Sequence, residues 1–280
     1  SITGGADAAK FAINSSTGDL TFAVAPDFET PTDVGTDNIY DVTVQVSDGS
    51  LTDTQAISVT VTSLNDNTPT ITSNGGGAST AVNVAENSTA VTTVTATDAD
   101  LPGDTLTYSI TGGADSGKFS INSSTGDLTF AVAPDFETPT DVGTNNVYDV
   151  TVQVSDGTLT DTQAIAVTVT PVTDNTPTIT SNGGGASAAV NVAENSTTVT
   201  TVTATDADLP GETLAYSISG GADSGKFSIN SSTGALTFST APDFETPTDT
   251  GTDNVYDVIV QVSDGTLTDT QAIAVTVTPV

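Results

Sequence analysis

Carboxylates are almost the only side chains in this sequence that can do chemistry. The chain carries 35 Asp and Glu against 3 Lys and Arg, and it has no His, Cys, Met or Trp. The acids are clustered. Between residues 69 and 176 they gather at Glu86, at Asp98 and Asp100, at Asp135 and Glu137, at Asp156, and at Asp174 beside Asn175. Each cluster falls at a predicted strand end or turn, where side chains from separate segments can converge. Acids at i and i+2 on an extended strand point the same way. Oxygen is the only ligand type available, which suits hard cations. Six to eight oxygens describe Ca²⁺ better than Mg²⁺, which keeps more water in a tight octahedron. Composition alone leaves one alternative open, a solubilising acidic surface.

The missing residues exclude several classes. Without Cys there is no disulfide framework, thiolate nucleophile or thiolate metal site. Without His there is no imidazole ligand and no general base of the usual neutral-pH kind. Three lysines cannot neutralise a phosphate backbone, so nucleic acid is not an expected partner. An anionic membrane surface is unexpected for the same reason. Apolar runs are only a few residues long, so no transmembrane helix or signal peptide is expected. The absence of Met suggests an internal or processed piece of something longer.

The elements that must position the acids repeat. Pro-Asp-Phe-Glu-Thr-Pro-Thr-Asp occurs at 26–33, 134–141 and 242–249, a period of 108 residues. Residues 69–172 and 177–280 are identical at 93 of 104 positions. Such a period fits one domain per repeat rather than a solenoid coil. Ser1 aligns with Ser109, so the array starts part-way through a unit. The expected domains are 1–68 (a partial repeat with linker), 69–176 (a repeat with linker) and 177–280.

Within the second repeat, apolar residues alternate with polar ones throughout. Val82 and Val84, then Val91, Val94 and Ala96, then Leu106, Tyr108 and Ile110 follow this rule. So do Phe119 and Ile121, Leu128 and Phe130, Tyr148 to Val154, and Ile165 to Val169. Period-two alternation predicts strands with one buried face. Thr fills many outward positions, where a β-branched polar residue suits a wet strand. Gly112-Gly113, Ser124-Thr125-Gly126 and Asp156-Gly157 read as turns. About seven strands in roughly 100 residues predict an antiparallel β-sandwich, so the fold class is all-β. The aromatic residues fall in or beside the strands and are expected in the core.

At the same acids a family resemblance becomes specific. Ala-Glu86-Asn, Thr-Asp98-Ala-Asp100, Asp135-Phe-Glu137, Ser-Asp156-Gly and the linker Asn65-Asp66-Asn67-Thr-Pro69 resemble the calcium signature of cadherin repeats. The wider text, with Ser-Asn-Gly-Gly-Gly before the Glu and a Thr-rich Asp-Phe-Glu loop, is most similar to the cadherin-like tandem repeats of large bacterial surface adhesins. The resemblance implies Greek-key, Ig-like sandwiches arranged as a linear rod, with Ca²⁺ at each junction. One junction would then use Asp27, Glu29, Asn65, Asp66, Asn67, Asp98, Asp100 and Asp156. The next would use Glu86, Asp135, Glu137, Asp174, Asn175, Asp206, Asp208 and Asp264. The family linker Asp-x-Asn-Asp-Asn is not fully kept: Ser63 and Pro171 replace its first Asp, and Thr173 replaces its first Asn. Fewer or weaker ions than the family's usual three are therefore expected.

Residues 1–68, 69–176 and 177–280 carry −9, −12 and −11 charges. Converging six or more carboxylates without a cation would cost several kcal/mol. Other motifs carry less. Gly112 to Lys118 nearly spells a phosphate loop, but Phe119 stands where Ser or Thr is needed. Asp98-Ala-Asp100 lacks the third ligand and helices of an EF-hand. Asp135 and Glu137 could suggest a glycosidase pair, yet nothing marks a cleft. A Lys–Asn crosslink is disfavoured because each Lys precedes a core Phe. Asn87 and Asn122 match a glycosylation triplet but read as turn residues.

The resemblance implies a non-catalytic, calcium-rigidified extracellular stalk of a bacterial adhesin or surface fibre, carrying distal ligand-binding modules and contacting neighbouring repeats. The alternatives are a self-assembling filament, sheath or matrix subunit, formed by homotypic association or strand complementation, and a carbohydrate-binding module.

Overall fold

The computed structural model describes residues 1–280. It is built of strands joined by turns, with only three-residue 3₁₀ turns besides. The first repeat contributes β1 (Ile2–Gly4), β2 (Phe11–Ile13), β3 (Leu20–Phe22), β4 (Ile39–Ser47) and β5 (Thr52–Thr60). The second contributes β6 (Thr70–Ile71), β7 (Ser79–Ala85), β8 (Ala90–Thr93), β9 (Ala96–Thr97), β10 (Thr107–Gly112), β11 (Phe119–Ile121), β12 (Asp127–Phe130), β13 (Val147–Ser155) and β14 (Thr160–Thr170). The third repeats this as β15 (Thr178–Ile179), β16 (Ser187–Ala193), β17 (Thr198–Thr201), β18 (Ala204–Thr205), β19 (Ala215–Gly220), β20 (Phe227–Ile229), β21 (Ala235–Phe238), β22 (Val255–Ser263) and β23 (Thr268–Thr278).

Contacts divide the chain into two compact units. One comprises Ser1–Val84, Ser88–Ala133 and Thr140–Thr168; the other comprises Ala85–Asn87, Pro134–Pro139 and Val169–Val280. Two short pieces of the second repeat, bearing Glu86, Asp135 and Glu137, thus group with the third.

The third repeat shows how alternation builds the sandwich. One sheet has the order β16-β23-β22-β19 and the facing one β17-β21-β20, with β15-β18 as a short pair beside them. Along β22, Tyr256, Val258, Val260 and Val262 point inward and are at most 1% exposed. They meet Ile273, Val275 and Val277 of β23 and Phe227, Leu236 and Phe238 of the opposite sheet. Phe227 stacks on Phe238 at 4.6 Å, and Phe238 meets Tyr256 edge-on at 5.2 Å. These aromatics are core, as expected, with Tyr216 and Phe244 half-buried against them, whereas Phe28 of the first repeat is exposed. Burying each such side chain contributes about 1.5–3 kcal/mol.

One pairing departs from the antiparallel expectation. β16 runs parallel to β23, from Ser187 opposite Ala272 to Ala193 opposite Thr278. The cause is the Ser-Asn-Gly-Gly-Gly segment. After β15 pairs with β18, the chain crosses to the other sheet and joins β23 from the same direction. Gly184 makes this turn with φ of 66°, in the left-handed region that costs an L residue energy. Gln271, fully buried, donates to the carbonyls of Ser181 (3.3 Å) and Gly185 (2.8 Å) and ties the crossing down.

The Asp-Phe-Glu loop before β22 is long and is held by buried polar groups. Tyr256 Oη accepts a hydrogen bond from the Thr248 amide at 3.1 Å. Asp223, 5% exposed, accepts from the Thr250 amide at 2.7 Å and the Asp257 amide at 2.9 Å. Asp249, 4% exposed, accepts from the amides of Gly251 and Asp253 (3.0 Å each) and Asn254 (3.1 Å). Burial would raise the Asp249 pKa, but these hydrogen bonds outweigh it and hold the carboxyl below its ordinary range. The loop stem is thereby fixed, and its tip presents Asp243 and Glu245.

Candidate metal centre

In the first unit, the acids are presented by three connections. The β3–β4 loop carries Asp27 and Glu29, the β5–β6 linker carries Asn65 to Asn67, and the turn after β9 carries Asp98 and Asp100. Asp27 accepts from the amides of Glu29 (3.0 Å) and Thr30 (3.2 Å), which curls the loop and aims Glu29 inward. Asp100, 6% exposed, accepts from the amides of Asp66 (3.2 Å) and Asn67 (2.9 Å) and from Asn67 Nδ2 (2.8 Å). The Asn67 side chain, then the backbone donors, hold Asp100 below its ordinary pKa against burial. Carboxylate oxygens of Glu29, Asp66 and Asp100 lie within 4.8 Å of one another. Burial, then the charges of Asp100 and Asp27, push Glu29 up.

Asp98 and Asp156 are not in a converging group of three, but each aims an oxygen into shielded space. Asp98 Oδ2, Asp156 Oδ2, Asn65 Oδ1 and Glu29 Oε1 are all buried without a hydrogen-bond partner. So is Asp104 Oδ2. Asp156 is fixed through its other oxygen, which accepts from the amides of Thr158 (2.6 Å) and Leu159 (2.7 Å).

The second unit holds three linked clusters. Glu86, Asp135 and Glu137 form one, Glu137, Asp174 and Asp208 the next, and Asp206, Asp208 and Glu212 the third, each with oxygens within 4.8 Å. Glu137 is common to the first two and Asp208 to the last two. Glu86 is anchored by accepting from the Val172 amide (2.7 Å) and the Phe136 amide (2.8 Å). Asn175 Nδ2 donates to Asp208 at 2.8 Å and to Asp174 at 2.9 Å. It thus braces carboxylates, as Asn67 does. Asp264 accepts from the amides of Thr266 (2.5 Å) and Leu267 (2.6 Å), leaving Oδ2 buried and unpartnered. Burial, with added repulsion from Glu86, Asp208 and Asp135, pushes Glu137 up to about 7.

These donors fit a hard cation. Buried polar atoms are almost always hydrogen-bonded, so these orphan carboxylate oxygens need a partner. Burial first, with repulsion from neighbouring carboxylates added, raises the pKa values of Glu29, Glu137 and Glu212. The oxygen-only donor set matches the chemistry of calcium ligands.

The sequence is similar to known proteins over the same segments. The family model described as "Cadherin domain" matches residues 80–170 and 188–278. This chain belongs to the cadherin family. Among cadherins, it is 33% identical over 244 residues to human "Cadherin EGF LAG seven-pass G-type receptor 2", covering 84% of this chain and 8% of that protein. It is 37% identical over 161 residues to human "Protocadherin Fat 4", covering 56% of this chain and 3% of that protein. The chain therefore spans less than a tenth of these relatives. Its backbone matches "Protocadherin gammaB7 EC3-6 cis-dimer structure" with a TM-score of 0.71 and 25% identity, over 99% of this chain and 66% of that one. Cadherin domains are extracellular adhesion modules, typically non-catalytic, that usually bind calcium. No helix in this cadherin is long and apolar enough to cross a membrane.

Two sets of acids escaped the sequence reading. Glu194, Asp243 and Glu245 form a further converging group. They are Glu86, Asp135 and Glu137 displaced by one period, so the repeat arithmetic contained them. Asp104 and Glu212 also align across the period, but their chemistry differs by a methylene and no motif names them.

Proposed function

We propose that this chain is a calcium-rigidified, non-catalytic stretch of extracellular cadherin repeats that acts as a spacer. We divide it into a partial repeat with linker (1–68), a repeat with linker (69–176) and a repeat (177–280). The observation that carries the reading is the run of clusters through Glu137 and Asp208, which gathers loops of the second and third repeats around shared carboxylates. A divalent cation would neutralise that crowding and lock those loops together. Calcium ligands would be the sixteen residues named from the sequence. Near-identity of 93 in 104 positions supports a spacer, because a stalk needs copies of one part. That uniformity and the cysteine-free, acidic composition support a bacterial surface adhesin or fibre, although the curated relatives above are human proteins.

Self-association is a second reading, supported by the likeness to the protocadherin structure described as a cis-dimer.

Chelation tests the first reading. At a calcium concentration about a hundred times Kd, each bound ion adds about 2.7 kcal/mol of stability. Removing calcium with EDTA should therefore lower the melting temperature by many degrees, and calcium alone should restore it. An unchanged melting curve would sink the calcium reading. Sedimentation with calcium tests the second: a monomer mass independent of concentration argues against assembly.

A further inference from the structure

The two acidic centres differ at a pair of positions, and the differences offset each other. In the first unit, besides Glu29 Oε1, four positions each leave one oxygen buried and unpartnered: Asn65 Oδ1, Asp98 Oδ2, Asp104 Oδ2 and Asp156 Oδ2. Asp156 is itself only 8% exposed. The Asn65 amide nitrogen donates to the Asp156 carbonyl at 3.5 Å, while Oδ1 stays buried without a partner. One period later the residues are Thr173, Asp206, Glu212 and Asp264. Thr173 has no side-chain carbonyl oxygen to offer. Yet four oxygens are again buried and unpartnered, because Glu212 supplies both Oε1 and Oε2 beside Asp206 Oδ2 and Asp264 Oδ2. Glu212 converges with Asp206 and Asp208 within 4.8 Å. Asp104 stands likewise among Asp98, Asp100 and Asp156, whose charges act on it.

We propose that Asp104 and Glu212 are themselves cation ligands, and that Asn65 with Asp104 and Thr173 with Glu212 are two ways of filling the same coordination sphere. Glu212 binds through both oxygens, as a carboxylate can at calcium. Its extra methylene gives the reach, and its second oxygen replaces the one lost when Asn becomes Thr. This inference rests on the calcium reading above, and it restores a site that the changed linker would otherwise weaken.

Calcium titration calorimetry and equilibrium dialysis on the full chain test it. E212Q should weaken one ion per chain by about tenfold or more, leaving the others unchanged. D104N should do the same at the first unit. E212D should also weaken binding, and adding T173N to E212D should return the affinity close to wild type by rebuilding the first unit's set. If E212Q and D104N bind like wild type, neither residue is a ligand. If T173N does not rescue E212D, the compensation is wrong. Both failures leave the calcium reading standing, whereas a wild-type chain that binds no calcium at millimolar concentration overturns that reading itself.

Discussion

Asp223 and Asp264 are the same residue type in the same repeat, and the fold uses them in opposite ways. Asp223 is buried with both oxygens occupied by backbone amides of the loop and β22. Asp264 has one oxygen occupied by its own turn and leaves the other buried without a partner. Asp249 belongs with the first kind, and Asp206 and Glu212 with the second. Burial alone therefore does not mark a metal ligand. What separates the two kinds is whether the backbone has already filled the lone pairs. A satisfied carboxylate such as Asp223 holds a loop and an orphaned oxygen holds room for a cation, while Glu86, Asp100 and Asp208 are hydrogen-bonded and also converge with other carboxylates.

The largest test of that contrast is D223N. An amide cannot accept from both backbone donors, and stranding a buried N–H costs about 1–3 kcal/mol. Calorimetric melting should show that loss equally in calcium and in EDTA. A loss seen only in calcium would mean Asp223 is no scaffold residue. D206N should behave in the reverse way. Its calcium affinity should fall about tenfold, while its melting temperature in EDTA stays at or slightly above wild type.

A third test is in pH. Glu137 is raised from 4.5 to about 7 in the folded chain. Without calcium, the folded state therefore holds a proton that the unfolded state has released between those values. Stability must fall as pH rises from 4.5 to about 7 and level off above. E137Q should remove this part of the slope in EDTA, and parallel slopes for E137Q and wild type would refute it. Calcium binding near pH 6 should release a proton from wild type and fewer from E137Q.

Much of the fold was legible in the sequence because a half-buried strand imposes period-two alternation. Tyr256 to Val262 show it directly, and the structure buries those residues. The parallel course of β16 was not legible, since alternation is the same in either direction. It depends on where Ser181 to Gly185 carry the chain. Among the acids, motif and period brought Glu86, Asp135, Glu137, Asp174, Asp206 and Asp208 onto the page, and they converge. Asp27, read as a ligand, curls its own loop through Oδ1 alone, as Asp264 does with its turn.

By itself, then, the sequence determined the repeat, the strands and an oxygen-only donor set, because these follow from local periodicity and from which residue types are absent. Only the tertiary structure decided which carboxylates are spent on backbone amides and which are left facing one another. That depends on segments far apart in the chain, as when Glu86 meets Glu137 or Asp174 meets Asp208, and no local pattern records such distances.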